Sequence, residues 1–340
     1  MLSRLSGRYG RWQLLALPAI AILLSLLAGA LFIIAAGANP LHAYAALLRA
    51  GFGCRGPGGL CAFLTALQYA TPLILGGLSA TLAFRAGLFS IGQLGQMVMG
   101  AAAATWLAGT LPLPGVLHPA VAIVGGILAG AFWGLIPGVL KAGLGLHEVI
   151  VTLLLNPIAL ALVGAVSWWR IPQSARLAPL VASTKLNPGL IIALAAAVLV
   201  FVYLWSSAAG YETRMAGQAT LFARFGGVRS GPVIARTMAL SGAAAGLAGA
   251  VEVLGVHYRF VASFSAIDQF DGIVVALLGQ LHPLGIVLSA LLLGGIRLGA
   301  VNGLQLEAAV PRELGSALIA LIVLFVLLVS KRIAYYHPTS

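Results

Sequence analysis

What most constrains this chain is a succession of uninterrupted apolar runs. Each is about 17–25 residues long, the length an α-helix needs to cross a bilayer. They fall at 14–37, 65–84, 88–109, 117–140, 145–168, 189–206, 237–257, 272–300 and 313–330. The runs are continuous, so they do not suit a transmembrane barrel, whose strands alternate polar and apolar over segments of about ten residues. Composition agrees: 61% of the 340 residues are hydrophobic and 8% charged, where a soluble domain carries roughly 25% charged residues. Such a chain has too little polar surface to cover itself in water. The expectation is an all-α, polytopic helical membrane protein.

The count depends on one break. His282-Pro283 interrupts the 272–300 run, which is then one kinked helix, two short ones or a re-entrant pair. That leaves about eight to ten crossings. The first run exceeds the core of a cleavable signal peptide, about 7–15 residues, and reads as a retained helix. No polar stretch exceeds about 20–30 residues, too few to fold alone, so residues 1–340 read as one membrane domain. The 43 glycines suit helices that pack backbone to backbone in lipid.

Basic residues set the orientation. Arg4, Arg8 and Arg11 precede the first run and put the N-terminus in the cytoplasm. Alternation from there makes 207–236 a cytoplasmic loop, with Arg214, Arg224, Arg229 and Arg236, and Lys331 and Arg332 favour a cytoplasmic C-terminus. The loop 170–188 falls outside despite Arg170, Arg176 and Lys185. The net charge of +12 is that of membrane-edge residues. It forms no basic stripe with interleaved aromatics, and no nucleic-acid partner is expected. Cys54 and Cys61 share a Gly-rich external loop, where a disulfide is permitted. A clip for that loop and two unpaired thiols both remain open. Two ligands do not complete a tetrahedral metal shell.

Few residues carry chemistry. The chain has seven acids, and ionisable groups within the membrane are functional candidates by default. Glu148 reads as an interfacial residue at a helix N-terminus. Glu252 either pairs with Arg259 or a neighbouring helix, or lines a solute path. Asn156-Pro157 lies mid-helix, where proline frees a carbonyl; Asn156 either satisfies backbone or faces a solute. In 85–100, Ser90, Gln93 and Gln96 sit among Gly87, Gly92, Gly95 and Gly100. Polar amides with glycine breaks suit a discontinuous helix on a path, or else interhelical hydrogen bonding. The segment 268–285 repeats this style with Asp271, Gln280 and His282, and the pairs Gly95-Gln96 and Gly279-Gln280 suggest a duplicated fold. In the loop 207–236, Leu221, Phe222 and Phe225 share one side of a short helix beside Arg224. An apolar face there is a docking site for a partner or a helix lying in the lipid interface. No HExxH, GxSxG or P-loop occurs, so any ATP used in transport is hydrolysed by another chain.

Four stretches resemble one family: TLAFRAGLFSIGQLGQMVMGA (81–101), HEVIVTLLLNPIA (147–159), the loop with Gly210, Arg214, Gly217, Ala223, Arg224 and Gly227, and SGAAAGLAGAVEVLGVHYRF followed by FDGIVVALLGQLHPLGIVLSALLLGG. The last pair is the most specific. Together they resemble the permease subunits of the ribose/nucleoside/branched-chain amino acid group of bacterial ABC importers, closest to the purine-nucleoside branch associated with basic-membrane-protein-type lipoproteins. The likeness runs from about residue 65 to 300. Ser90 stands where the pattern has Asn, Leu94 where it has Glu, and His147 where it has Asn.

The resemblance implies a heteromeric machine in the bacterial cytoplasmic (inner) membrane. A second, non-identical permease subunit completes the path. A cytoplasmic ATP-binding subunit, carrying ATP and Mg, grips 210–228. An extracytoplasmic solute-binding lipoprotein delivers the solute, nucleosides above all. Ser90, Gln93, Gln96, Asn156, Glu252, Asp271, Gln280 and His282 are the expected path residues, and Arg214, Gly217, Leu221, Phe222, Arg224 and Phe225 the expected coupling residues. A sugar or amino-acid importer of the same group is the near alternative. An ion-coupled secondary transporter, needing a buried carboxylate such as Glu252, is the distant one.

Overall fold

The computed structural model describes residues 23–54, 62–164, 170–181, 184–260, 266–308, 310–311, 313–321 and 324–325; the side chains of 220, 221, 224 and 266–269 are outside the description. The expectations for Arg4, Arg8, Arg11, Cys61, Lys331 and Arg332, and for the side chains of Leu221 and Arg224, therefore lie outside the described residues. Among the described residues helices are the regular structure, joined by turns and loops, apart from one isolated bridge between Arg170 and Arg259.

In chain order the helices are α1 (Leu23–Ala35), α2 (Pro40–Phe52), α3 (Ala62–Arg85), α4 (Gln93–Thr110), α5 (Leu117–Leu144), α6 (Glu148–Val163), α7 (Gly189–Ser206), α8 (Ala208–Gln218), α9 (Thr220–Phe225), α10 (Ser230–Glu252), α11 (Ala266–Leu278) and α12 (Pro283–Gly299). A last one, α13, covers 313–321. Among the described residues, five helices are long and apolar enough to span a membrane, or six if α1 and α2, bent by 113°, make one span.

Two expectations change, and one left open is decided. The loop assigned to 38–64 contains α2, started by Pro40 and by the Asn39 side chain, which accepts from the Leu41 N–H. The run at 88–109 turns helical only at Gln93. The 272–300 run is two helices, with residues 279–282 breaking the path between α11 and α12.

The chain forms two compact units, 67–292 and the two ends, 1–66 with 293–340. Among the ends, α2 lies against Gly295, Gly299 and Gly303, which recur every four residues, and Arg49 pairs with Glu307 at 3.1 Å. Cys54 is disulfide-bonded.

The larger unit is built on backbone contact. Gly126, Gly130, Gly134 and Gly138 line one edge of α5, and Gly242, Gly246 and Ala250 one edge of α10. A Cβ on Gly130 would overlap the Gly242 carbonyl, and one on Gly246 the Gly126 carbonyl. α4 joins them through Gly100 against Gly246, and through Gly249 against the Met97 carbonyl. Lipid is as apolar as leucine, so helices in it associate by close packing rather than by the hydrophobic effect, and small residues permit that approach. α3 is fixed to α10 by a buried serine pair. Ser79 Oγ lies 3.0 Å from Ser241 Oγ, and Ser241 Oγ donates to the Ser79 carbonyl at 2.8 Å.

At one end of this unit the loop after α6 returns across the end of α10. Ile171 N–H donates to the Tyr258 carbonyl and Leu177 N–H to the Leu254 carbonyl, each at 3.0 Å. Arg176 stacks on the Tyr258 ring, 4.9 Å from its centre. The positive charge of the loop 170–188 is thus held against α10.

Candidate functional site

The head of α4 is where backbone needs exceed what its own helix supplies. The first N–H groups of a helix have no intrahelical partner. The chain leaves α3 through Gly87 (φ 73°) and stays irregular until Gln93, so Ser90 lies in the approach and Gln93 and Gln96 in the first turn. Asn156 of α6 supplies what is missing. Its Oδ1 accepts from the Gly95 N–H and its Nδ2 donates to the Ile91 carbonyl, both at 2.9 Å. One turn earlier Thr152 Oγ1 accepts from the Ile91 N–H at 3.2 Å and donates to the Glu148 carbonyl at 2.8 Å. Asn156 therefore satisfies backbone, but that of another helix.

Three buried polar atoms beside this joint find no hydrogen-bond partner among the described residues: Gln93 Oε1, Gln96 Oε1 and Trp133 Nε1. Gln93 spends its amide nitrogen on the Ser90 carbonyl at 3.2 Å. Gln96 is only 1% exposed, and its Nε2 lies against Gly92 and Gly134. The Trp133 indole N–H comes up to Gly95, where an added Cβ would stand 2.9 Å from it. An unpaired buried polar group costs about 1–3 kcal/mol. Two acceptors and one donor beside the head of α4 are thus left without a partner among the described residues. Leu94, at the position of a family Glu, is buried in the apolar core with Val98 and Trp133. Lys141 and Glu148 pair at 2.8 Å across the α5–α6 connection, so Glu148 sits at a helix start, as expected.

The other expected path residues lie elsewhere. Glu252 is buried, and its carboxylate meets His257 at 3.3 Å rather than Arg259. The cause is local: α10 widens into a π-helical turn at Val253–His257, which returns His257 towards Glu252. Asp271 is buried on α11, beside the close approach of Gly272 to Gly76 of α3. Gln280 and His282 belong to the α11–α12 turn. The His282 ring lies 5.0 Å from that of Trp205 and 5.7 Å from that of Phe201, between ring centres. Ser90, Gln93, Gln96 and Asn156 thus form one cluster, and Gln280 and His282 belong to a second.

The loop 207–236 is mostly helix. α8 starts at Ser207, whose hydroxyl accepts from the Gly210 N–H at 3.0 Å. It is fixed to its neighbours by Thr213 with Tyr203 at 3.0 Å and by Glu212 with Arg236 at 3.1 Å. Gly217 touches the α3–α4 turn so closely that a Cβ would overlap the Arg85 carbonyl. α9 then presents Phe222 and Phe225, 68% and 91% exposed, while Ala223 between them is buried. Arg214 reaches inward to the Trp205 ring, 6.0 Å from its centre.

Sequence reasoning missed Trp133, Thr152, Arg85 and Trp205. Trp133 carried a signal, an indole inside a run of glycines spaced by four. Thr152 lies one turn before Asn156 on the same helix face.

Residues 62–327 match the family described as "Branched-chain amino acid transport system / permease component". The chain belongs to this family. It is 38% identical to the guanosine ABC transporter permease protein NupP of Bacillus subtilis (strain 168), with 92% of each chain covered. It is 32% identical to the nucleoside ABC transporter permease protein NupB of Lactococcus lactis, over 91% of this chain and 89% of that one. It is 31% identical to the glucose ABC transporter permease protein TsgB13 of Haloferax volcanii, over 93% and 88%. No solved structure matches. The protein is thus a polytopic ABC transporter permease.

Proposed function

We propose that this permease carries nucleosides inward across the cytoplasmic membrane, powered by a separate ATP-binding subunit docked on α8 and α9 and supplied by an extracytoplasmic solute-binding lipoprotein. The observation that carries the reading is that two buried amide oxygens, Gln93 Oε1 and Gln96 Oε1, and the buried Trp133 indole N–H have no hydrogen-bond partner among the described residues. A nucleobase offers both donors and acceptors on a planar edge, and its ring can stack on an indole. The two nucleoside relatives support the class. The glucose relative, at nearly the same identity as NupB, keeps a sugar in the test.

The docking side rests on Phe222 and Phe225. Two aromatics standing free on a short helix are an anchor for a partner's groove. On this reading α8 and α9 face the cytoplasm. ATP and Mg act in the partner, and a second, non-identical permease completes the path. ATP binding draws the partner subunits together, α8 moves, and the helices around the α4 head rock so that the amide cluster opens to one face and then the other. The docked partners favour one state only by binding it better than the other.

The test is uptake into vesicles holding the permease with a co-expressed ATP-binding subunit, a second permease and a solute-binding lipoprotein. ATP-dependent accumulation of labelled guanosine, displaced by other nucleosides and not by glucose or leucine, is the expected result. Displacement by glucose alone would transfer the site to sugars.

A further inference from the structure

The turn between α11 and α12 is held in an unusual way. Gln280 and Leu281, neither of them glycine, both have left-handed backbone, with φ of 53° and 54°. Such residues persist where their surroundings over-determine them, and they gather at switch regions. Here the surroundings include Arg85 at the end of α3. Its Nε and Nη2 both donate to the Leu281 carbonyl, at 3.1 and 3.0 Å.

The same guanidinium lies over the Trp205 ring at the end of α7, 5.2 Å from its centre. Arg214 of α8 shares that ring, with its Nε otherwise unpartnered among the described residues. His282 meets the ring from the turn itself. The backbone of Arg85 in turn abuts Gly217 of α8. One residue therefore touches the loop helix with its carbonyl and the strained turn with its side chain.

We propose that Arg85 is a positioning residue that couples α8 to the α11–α12 turn, with Trp205 as the surface on which its guanidinium is held. This rests on the reading of α8 and α9 as the ATPase dock. A displacement of α8 presses the Arg85 backbone through Gly217 and shifts the indole through Arg214. Both movements change the grip on the Leu281 carbonyl, and so the conformation open to Gln280 and Leu281. The HPLG sequence after the turn fits this role: His282 lies against Trp205, and Gly285 packs on Gly279 so closely that neither could carry a Cβ.

The experiment uses the assembled transporter with Arg85→Lys and, separately, Leu281→Gly. Lysine keeps the charge over the indole but lacks the fork that puts two donors on one oxygen. Glycine keeps the carbonyl and removes the strain. Each variant should retain bound ATPase while solute moved per ATP hydrolysed falls by at least about fivefold, the lower range of a coupling effect. Spin labels on Gln218→Cys and Leu284→Cys, both exposed sites, provide a second readout. Their separation should change with nucleotide in the parent, as movement of α8 alters the turn, and that change should be lost in Arg85→Lys. A parent-like transport-to-ATP ratio in either variant overturns the inference. So does loss of bound ATPase in both variants, which would make the cluster a structural prop. An ATPase that fails to bind the unaltered permease would instead overturn the docking reading beneath it.

Discussion

Asn156 and Gln96 stand a few ångströms from the same joint and should behave in opposite ways. Asn156→Ala strands a buried N–H and a buried carbonyl at the head of α4, each costing about 1–3 kcal/mol. It should lower the melting temperature in detergent by several degrees, and an unchanged melt would remove its structural role. Gln96→Leu deletes an acceptor that has no partner among the described residues, so stability should hold or rise slightly. Uptake in vesicles should nonetheless fall about tenfold, the effect of losing roughly 1.4 kcal/mol of solute contact. Full uptake with Gln96→Leu would remove it from the path. The sequence showed that both residues are polar in an apolar setting. It did not show which was already spoken for, because Asn156's partners, Ile91 and Gly95, lie some sixty residues away.

Among the elements, α5 and α10 were legible as spans, and α7 was read to its ends at Gly189 and Ser206. Their mutual contact is written as glycines four apart on each helix, a spacing visible only when the two runs are compared with each other. Gly130→Ala places a methyl group on the Gly242 carbonyl. Overpacking of this kind costs about 1–3 kcal/mol, and it should reduce the monodisperse fraction on fluorescence-detected size exclusion. Gly143→Ala, where a Cβ meets open space, is the control. α2 was missed because its short apolar run is broken by polar and charged side chains such as His42 and Arg49. On α9 Phe222 and Phe225 are exposed, while the side chain of Leu221, the third member of the expected face, lies outside the described residues. Changing both to Asp should abolish co-purification of the ATPase while leaving the permease in the membrane. Undiminished co-purification would return that face to the lipid interface.

For the whole molecule, orientation was argued from charge, and most of the deciding residues are the terminal arginines and lysines. Side-specific labelling tests it directly. An impermeant maleimide should reach Lys185→Cys in intact spheroplasts and Phe225→Cys only after the membrane is opened; the reverse pattern would invert the topology. The membrane class was legible throughout, since composition and run length decide it. The broken run at 272–300 was not, because a His-Pro step alone does not distinguish a kink from a reversal. One consequence follows from how α4, α5 and α10 touch. Where backbone lies on backbone there are no side chains to change rotamer and no slack to absorb sliding. These three helices must travel as a single block. On the proposed reading a gate opens along the seams around that block, and Asn156, which joins α6 to the head of α4, sits on one of them like an axle.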